Sequence, residues 1–197
     1  IDSITKGEII HKFCQYYKKG INPARLMERI VNSFGLEYNR DIEQELKVYM
    51  ENYIKHCSED YDIFYTEKEF YLKVDDVYIR GKIDRINIRD GKAEILDFKT
   101  NRVCNKENLV KMYEPQIQLY ANAFKRIANM EIERAAIVFL ETGEMVEIRT
   151  DKESLEKNYE DLREFIRFIN SNNSIRQYEK TDACETYCRY NILCTMN

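Results

Sequence analysis

Two prolines and six glycines are all the backbone punctuation in 197 residues, so no long flexible linker divides the chain. No apolar run approaches the roughly 18 residues that a membrane-spanning helix needs. No charged-then-apolar segment opens the chain as a secretion signal would. Repeats and low-complexity tracts are lacking too. Basic excess is missing as well: the formal net charge is -4, whereas a stand-alone nucleic-acid binder is usually basic. That weighs against nucleic acid as a partner, unless some acids are metal ligands or a neighbouring domain supplies the basic contacts.

The content that remains, 44% hydrophobic and 34% charged, is that of an ordinary globule. The length fits a single domain, residues 1–197, with a sizeable core. The chain begins at Ile1 in helical-looking sequence without a Met, which reads as a fragment of a longer protein. Six cysteines occur, and three of them crowd a tail at 180–197. A secreted scaffold would spread and pair them. The crowding reads instead as metal or cluster ligands in a reducing, cytoplasmic compartment.

Apolar spacing predicts a helix over 6–19 carrying Ile9, Ile10, Phe13, Tyr16 and Tyr17. Asn22-Pro23 reads as an N-cap and first helical residue, opening a helix to about Ser33. A third helix runs from Asp41 to about His56. Strand-like sequence follows at 63–74, 77–88 and 92–98, then a helix at 107–128 and strands at 133–140 and 145–149. Thr150 with Glu153 fits a capping box for a last helix to about Ile169. This order predicts an α/β fold with a mixed central sheet flanked by helices and a cysteine-bearing C-terminal tail.

Asp90-Gly91 is a strong two-residue hairpin signal. With those two at the turn, Ile88 pairs with Ala93, Ile86 with Ile95, Asp84 with Asp97 and Lys82 with Lys99. Alternation then puts Asp84, Asp97 and Lys99 on one face with Ile86, Ile88, Ala93 and Ile95. Opposed carboxylates about 5 Å apart repel and push a pKa upward. A divalent cation between them reverses the cost, and hard oxygen donors favour Mg²⁺ or Mn²⁺. Glu67 and Glu69, in the preceding strand, read as solvated acids. Arg85, on the other face, either contacts phosphate or pairs with an acid. Cys14, one helical turn after His11, should face the core.

Gly81-Lys-Ile-Asp84-Arg-Ile86, followed by Ile95-Leu-Asp97-Phe-Lys99-Thr100, resembles the RecB-type nucleases of the PD-(D/E)xK superfamily. Gly7-Glu-Ile-Ile-His11 resembles that family's G-x-x-x-H element, and Gln116-Ile-Gln-Leu-Tyr120 its Q-x-x-x-Y element. The resemblance implies a restriction-endonuclease-like core and Mg²⁺- or Mn²⁺-dependent hydrolysis of DNA. It implies metal ligation by His11, Asp84, Asp97 and the backbone carbonyl of Phe98. Lys99 would orient the attacking water, with Gln116 and Tyr120 positioning DNA or the lysine. It further implies an exonuclease-type activity in recombination or repair, with a fused or associated helicase as partner. Two other readings stay open: a catalytically silent DNA-binding or structural module, and a stand-alone CRISPR-associated end-trimming nuclease. Tyr113 reads equally as core or as site.

Cys184-x3-Cys188-x5-Cys194 resembles the C-terminal part of the 4Fe-4S cluster site of many such nucleases, although their first gap is x2. The fourth ligand is unassigned. Iron–sulfur cluster, zinc and no ion all remain open here.

Overall fold

A computed structural model of the chain describes residues 1–57, 60–174 and 177–178. In chain order the elements are α1 (Ser3–Tyr16), α2 (Pro23–Ser33), α3 (Arg40–His56), β1 (Ile63–Val74), β2 (Val77–Arg89), β3 (Lys92–Lys99), α4 (Lys106–Ala128), β4 (Glu131–Phe139), β5 (Glu144–Glu147) and α5 (Lys152–Ser171). The chain divides into two compact units, Ile1–Asn158 and Tyr159–Asn197. In the second, the Phe168 and Tyr178 rings meet edge to face. The first holds all five strands.

Short polar side chains start the helices. Asp2 accepts the Ile4 and Thr5 N–H groups at the head of α1. Asn22 does the same for Arg25 in α2, with Pro23 at the first position as predicted. Such a cap contributes about 1 kcal/mol. At α5 the cap is Asp151 rather than Thr150: its carboxylate accepts the Ser154 N–H at 2.9 Å and the Ser154 hydroxyl at 2.8 Å. A carboxylate has the advantage there because it also meets the positive end of the helix dipole.

The five strands lie in the order β1-β2-β3-β4-β5. Only β3 and β4 are parallel among these neighbours. A parallel pair needs a crossover, and α4 supplies it. On one face, Leu96 and Phe98 of β3 and Ala136, Val138 and Leu140 form a single core with Ile9, Phe13, Met27, Leu46 and Tyr53 of the first three helices. On the other, α4 packs against β4, β1 and β3. The central strand β3 is therefore covered on both sides, and every residue from Ala93 to Phe98 is buried. Two of those residues are acids, Glu94 and Asp97.

Both hairpins that deliver the site are tight. Val74 pairs with Val77 across Asp75-Asp76, and Arg89 with Lys92 across Asp90-Gly91. Asp90 and Gly91 both have positive φ, 52° and 73°, as a type I′ turn requires. On β2, Gly81 lies opposite Phe70. A Cβ at Gly81 would overlap the Phe70 ring, and that ring meets Tyr120 of α4 edge to face with centroids 5.8 Å apart. The missing side chain thus seats an aromatic pair that ties β1 to α4. Gly81→Ala should unseat Phe70 and cost about 1–3 kcal/mol, as other overpacked sites do. Urea denaturation of the two proteins checks this; an unchanged midpoint would refute it.

Candidate metal centre

Three acids from three adjacent strands share one row of the sheet. Between β1 and β2, Thr66 pairs with Arg85 and Lys68 with Ile83, which leaves Glu67 across from Asp84. Between β2 and β3 the ladder follows the predicted register as far as Arg85 with Leu96. The next row is Asp84 with Asp97, and there the backbone pairing stops. A side chain takes over: Asp84 Oδ2 accepts the Phe98 N–H at 2.8 Å. On the other side of the row, Glu67 sits at φ 52°, a left-handed conformation uncommon for any residue but glycine. Ile83 and Ile86, three residues apart, line the same groove against α4. Strict alternation would part them, so β2 shifts its faces by one between them, beside Asp84.

Glu67 reads from sequence as a solvated acid, yet its side chain is only 11% exposed. The signal for its place in the site lies in the chain: counting outward from an Asp75-Asp76 turn puts Glu67 opposite Asp84. Glu69, by contrast, is exposed as expected and pairs with Arg80 at 2.8 Å.

His11 reaches the row from α1. A Cβ on Gly7, one turn earlier, would lie 3.2 Å from Thr100 Oγ1, so glycine lets the helix settle against the end of β3. His11 Nδ1 is 3.6 Å from Asp84 Oδ2 and 3.9 Å from Glu67 Oε1. One ligand atom from each of His11, Glu67 and Asp84 can be chosen so that all lie within 4.8 Å of one another. Lys82 does not meet Lys99, as the simple register predicted; it pairs with Glu67.

Asp97 stands beside this group with its carboxylate turned to Lys99, whose Nζ is 2.8 Å from Oδ2. The same Nζ donates to Gln116 Oε1 at 3.0 Å and sits 4.0 Å from the centre of the Tyr113 ring. Gln116 Nε2 donates in turn to the Tyr120 hydroxyl at 2.6 Å. Asp97 is 2% exposed, and the Lys99 ammonium 2.8 Å from its Oδ2 is that oxygen's charged partner. Tyr113 is thus a platform for the lysine, and its hydroxyl donates to Asn101.

The electrostatics follow from crowding and burial. Burial, then the charge on Asp97, pushes Asp84 up to about 7. Burial also raises Asp97, against the pull of Lys99. For His11, burial disfavours the charged ring, but Glu67, Asp84 and Asp97 outweigh it and raise the pKa. Burial favours a neutral Glu67, yet His11 and Lys82 hold its carboxyl below the ordinary range.

One expected contact falls elsewhere. Arg85 is 4% exposed. It donates to Asn87 Oδ1 at 2.7 Å and to the Tyr53 hydroxyl at 2.9 Å, and its guanidinium lies over Phe64. It is a core cation, not a surface for DNA. Phe98 presents its N–H to Asp84, while its ring packs on Tyr53. Cys14 is buried, as the spacing implied. The tail cysteines Cys184, Cys188 and Cys194 lie outside the described residues.

A model of the PD-(D/E)XK nuclease superfamily matches residues 1–195. The A subunit of the ATP-dependent helicase/nuclease of Bacillus pumilus (strain SAFR-032) is 37% identical over 87 residues, which is 38% of this chain and 7% of that protein. The protein of the same name from Pediococcus pentosaceus (strain ATCC 25745 / CCUG 21536 / LMG 10740 / 183-1w) is 29% identical over 103 residues, 48% of this chain and 8% of its own length. The matches therefore span under a tenth of these curated relatives. Among solved structures, a candidate exonuclease from Eubacterium rectale superposes with a TM-score of 0.57 at 11% identity, covering 96% of this chain and 74% of that one. At that identity the likeness is one of fold.

The raised pKa of Asp84 sets a pH dependence. Its folded value of about 7 lies above the ordinary 3.8, so the folded chain binds that proton more tightly than the unfolded one. Stability of the metal-free protein must then fall as pH rises from about 4 to about 7. The raised His11 value acts in the same direction. Glu67 opposes it only at pH values up to its ordinary 4.5. The full loss should be about 2–4 kcal/mol. Thermal melts in a chelator between pH 5 and 8 should show it, and Asp84→Asn should flatten the slope. A wild-type melting temperature that rose over this range would contradict this linkage.

Proposed function

This chain belongs to the PD-(D/E)XK nuclease superfamily, and we propose that it hydrolyses DNA phosphodiesters with Mg²⁺ or Mn²⁺ as cofactor. We assign it an exonuclease-type role in recombination or repair, as the nuclease part of a larger helicase-nuclease. The observation that carries the reading is the row of Glu67, Asp84 and Asp97 with the Lys99 ammonium at its end. The relatives named as helicase/nuclease components support the wider context.

The residues present fit a hard divalent cation. They offer carboxylate oxygens and one imidazole nitrogen, and hard ions prefer oxygen. An Asp84 pushed up to about 7 by burial and its neighbour and an Asp97 raised by burial against the pull of Lys99 are both relieved by added positive charge. His11, Asp84 and Glu67 would hold the ion, with Asp97 and the Phe98 carbonyl completing the set. When bound, the ion polarises a phosphoryl oxygen and eases deprotonation of a water.

The chain's own groups do the rest. Lys99 is held from three sides by Asp97, Gln116 and the face of Tyr113, so its ammonium keeps one position. From there it orients the attacking water and stabilises charge developing on the phosphate. Gln116 can point only its Oε1 at Lys99, because its Nε2 is engaged by Tyr120. Tyr120 is fixed by Phe70. Gln116 and Tyr120 are therefore positioning residues for the lysine. In the tail, Cys184, Cys188 and Cys194 would hold an iron–sulfur cluster or zinc if they hold an ion. Iron and zinc content of the purified chain decides it.

A nuclease assay on labelled linear and circular DNA with Mg²⁺ or Mn²⁺ tests the reading. Asp97→Ala and Lys99→Ala should each lose at least about 100-fold in rate, in line with removal of a preorganised charge. Mn²⁺ should raise the melting temperature of the wild type and leave that of Asp84→Asn unchanged. Equal cleavage by wild type and both variants would remove the mechanism, and no cleavage by the wild type with either metal would leave a silent module. Circular DNA resistant to cleavage would support the exonuclease mode.

A further inference from the structure

The β1–β2 hairpin runs on past the acidic row, and one of its faces is uncovered among the described residues. Continuing outward from Glu67 and Asp84, the paired rows on that face are Glu69 with Lys82, Tyr71 with Arg80, and Lys73 with Tyr78. All six are exposed. The opposite face carries Phe70, Leu72 and Val74, which are buried. Tyr71 is 57% exposed and Tyr78 67% exposed, so both rings are available to a ligand. The Arg80 guanidinium lies 5.9 Å from the Tyr71 ring centre, so cation and ring alternate along the face.

The face is continuous with the site, through Lys82 to Glu67 and from Glu67 to His11 and Asp84. Same-face residues on a strand repeat at about 6.7 Å. Tyr71 is then about 13 Å and Tyr78 about 20 Å from the acidic row along the hairpin, room for several nucleotides at about 3.4 Å or more apiece. Three cations, Lys73, Arg80 and Lys82, accompany the two rings, against one acid, Glu69. Asp75 and Asp76 form the turn, and their negative charge sets an outer limit for a polyanion.

Resting on the nuclease reading, we propose that this hairpin face is a track for single-stranded DNA. Bases stack on Tyr71 and Tyr78 while Lys73, Arg80 and Lys82 neutralise the phosphates, and the strand is led to the row at Asp84. Exposed rings interleaved with basic side chains fit a single strand because its bases are available to stack, whereas those of a duplex are not.

The test is anisotropy of a fluorescent oligothymidylate with the full chain in a chelator, so that binding is read without cleavage. Tyr71→Ala with Tyr78→Ala should weaken binding at least about tenfold, the scale of lost base–aromatic stacking. Tyr71→Phe with Tyr78→Phe should restore it, since the ring and not the hydroxyl does the work. Lys73→Gln with Arg80→Gln should flatten the salt dependence by about 0.7 for each phosphate left without its cation. Affinity for a blunt duplex should change little in the tyrosine variant. Unchanged single-strand affinity in Tyr71→Ala/Tyr78→Ala, or an equal loss on duplex, overturns the proposal. If Lys99→Ala abolishes cleavage while the tyrosine pair is inert, the track falls and the nuclease stands. If binding depends on the tyrosines but no cleavage is seen with either metal, the nuclease reading falls and the track stands.

Discussion

Like charge forced into one level of a β-sheet is the constraint around which the rest of this structure is arranged. Glu67, Asp84 and Asp97 come from three neighbouring strands. Strands lie about 4.8 Å apart, and two carboxylates at about 5 Å repel by about 3 kcal/mol at an effective dielectric of about 20. The chain meets that cost piecemeal. Lys82 pairs with Glu67, Lys99 with Asp97, the Phe98 N–H donates to Asp84, and His11 stands between Glu67 and Asp84. These contacts do not remove the cost, because burial and the neighbouring acids still keep Asp84 and Asp97 raised. The fold thus holds a charge arrangement that a proton or the proposed cation would relieve, as expected where stability gives way to function.

Rigid elements make such an arrangement possible. β3 is buried on both faces, so Asp97 is held almost wholly out of solvent. α1 is drawn close by the absence of a side chain at Gly7, and its other face, with Ile9 and Phe13, is part of the main core. α4 brings Gln116 and Tyr120, and Gly81 seats the Phe70 ring that steadies Tyr120. A second polar network lies apart from the site: Arg85 to Asn87, Asn87 to Glu94, and Glu94 to Arg134 and Tyr61. It gives the Arg85 guanidinium hydrogen-bond partners inside the core, where a buried donor left unmade costs about 1–3 kcal/mol, and more for a charged group. That energetic role accounts for Arg85 without DNA.

Much of this is legible in the chain because it rests on local chemistry. Asp90-Gly91 allows a single tight turn, and counting from it gives the β2–β3 register as observed. Asn22-Pro23 starts α2 where it should. Residues at i, i+4 put Gln116 and Tyr120 together, and the hydrogen bond between them bears out the geometry. What escapes depends on tertiary context. Glu67 joins the site only because β1 pairs with β2 through a turn of two aspartates, a weaker signal than Asp-Gly, and because its backbone leaves the ordinary strand conformation. The shift of faces near Asp84 defeats strict alternation, so Lys82 turns to Glu67 instead of Lys99. Arg85 looks like a phosphate contact in the sequence because its burial depends on Tyr53, a residue 32 positions earlier in α3.

The same pairings bear on how an acidic chain could hold a polyanion. Each cation nearest the site already has an acidic partner: Lys99 has Asp97, Lys82 has Glu67 and Arg80 has Glu69. Phosphate must therefore compete with carboxylates for them, and in the metal-free protein it competes against a cluster whose own charge repels it. The divalent ion proposed at Glu67 and Asp84 would change both terms. It would offset the negative charge of the row, and it would compete with Lys82 for the Glu67 carboxylate, leaving that ammonium to a phosphate. Metal and DNA would then favour one another through a single shared side chain, and a net charge of -4 would cease to argue against the proposed nucleic-acid substrate.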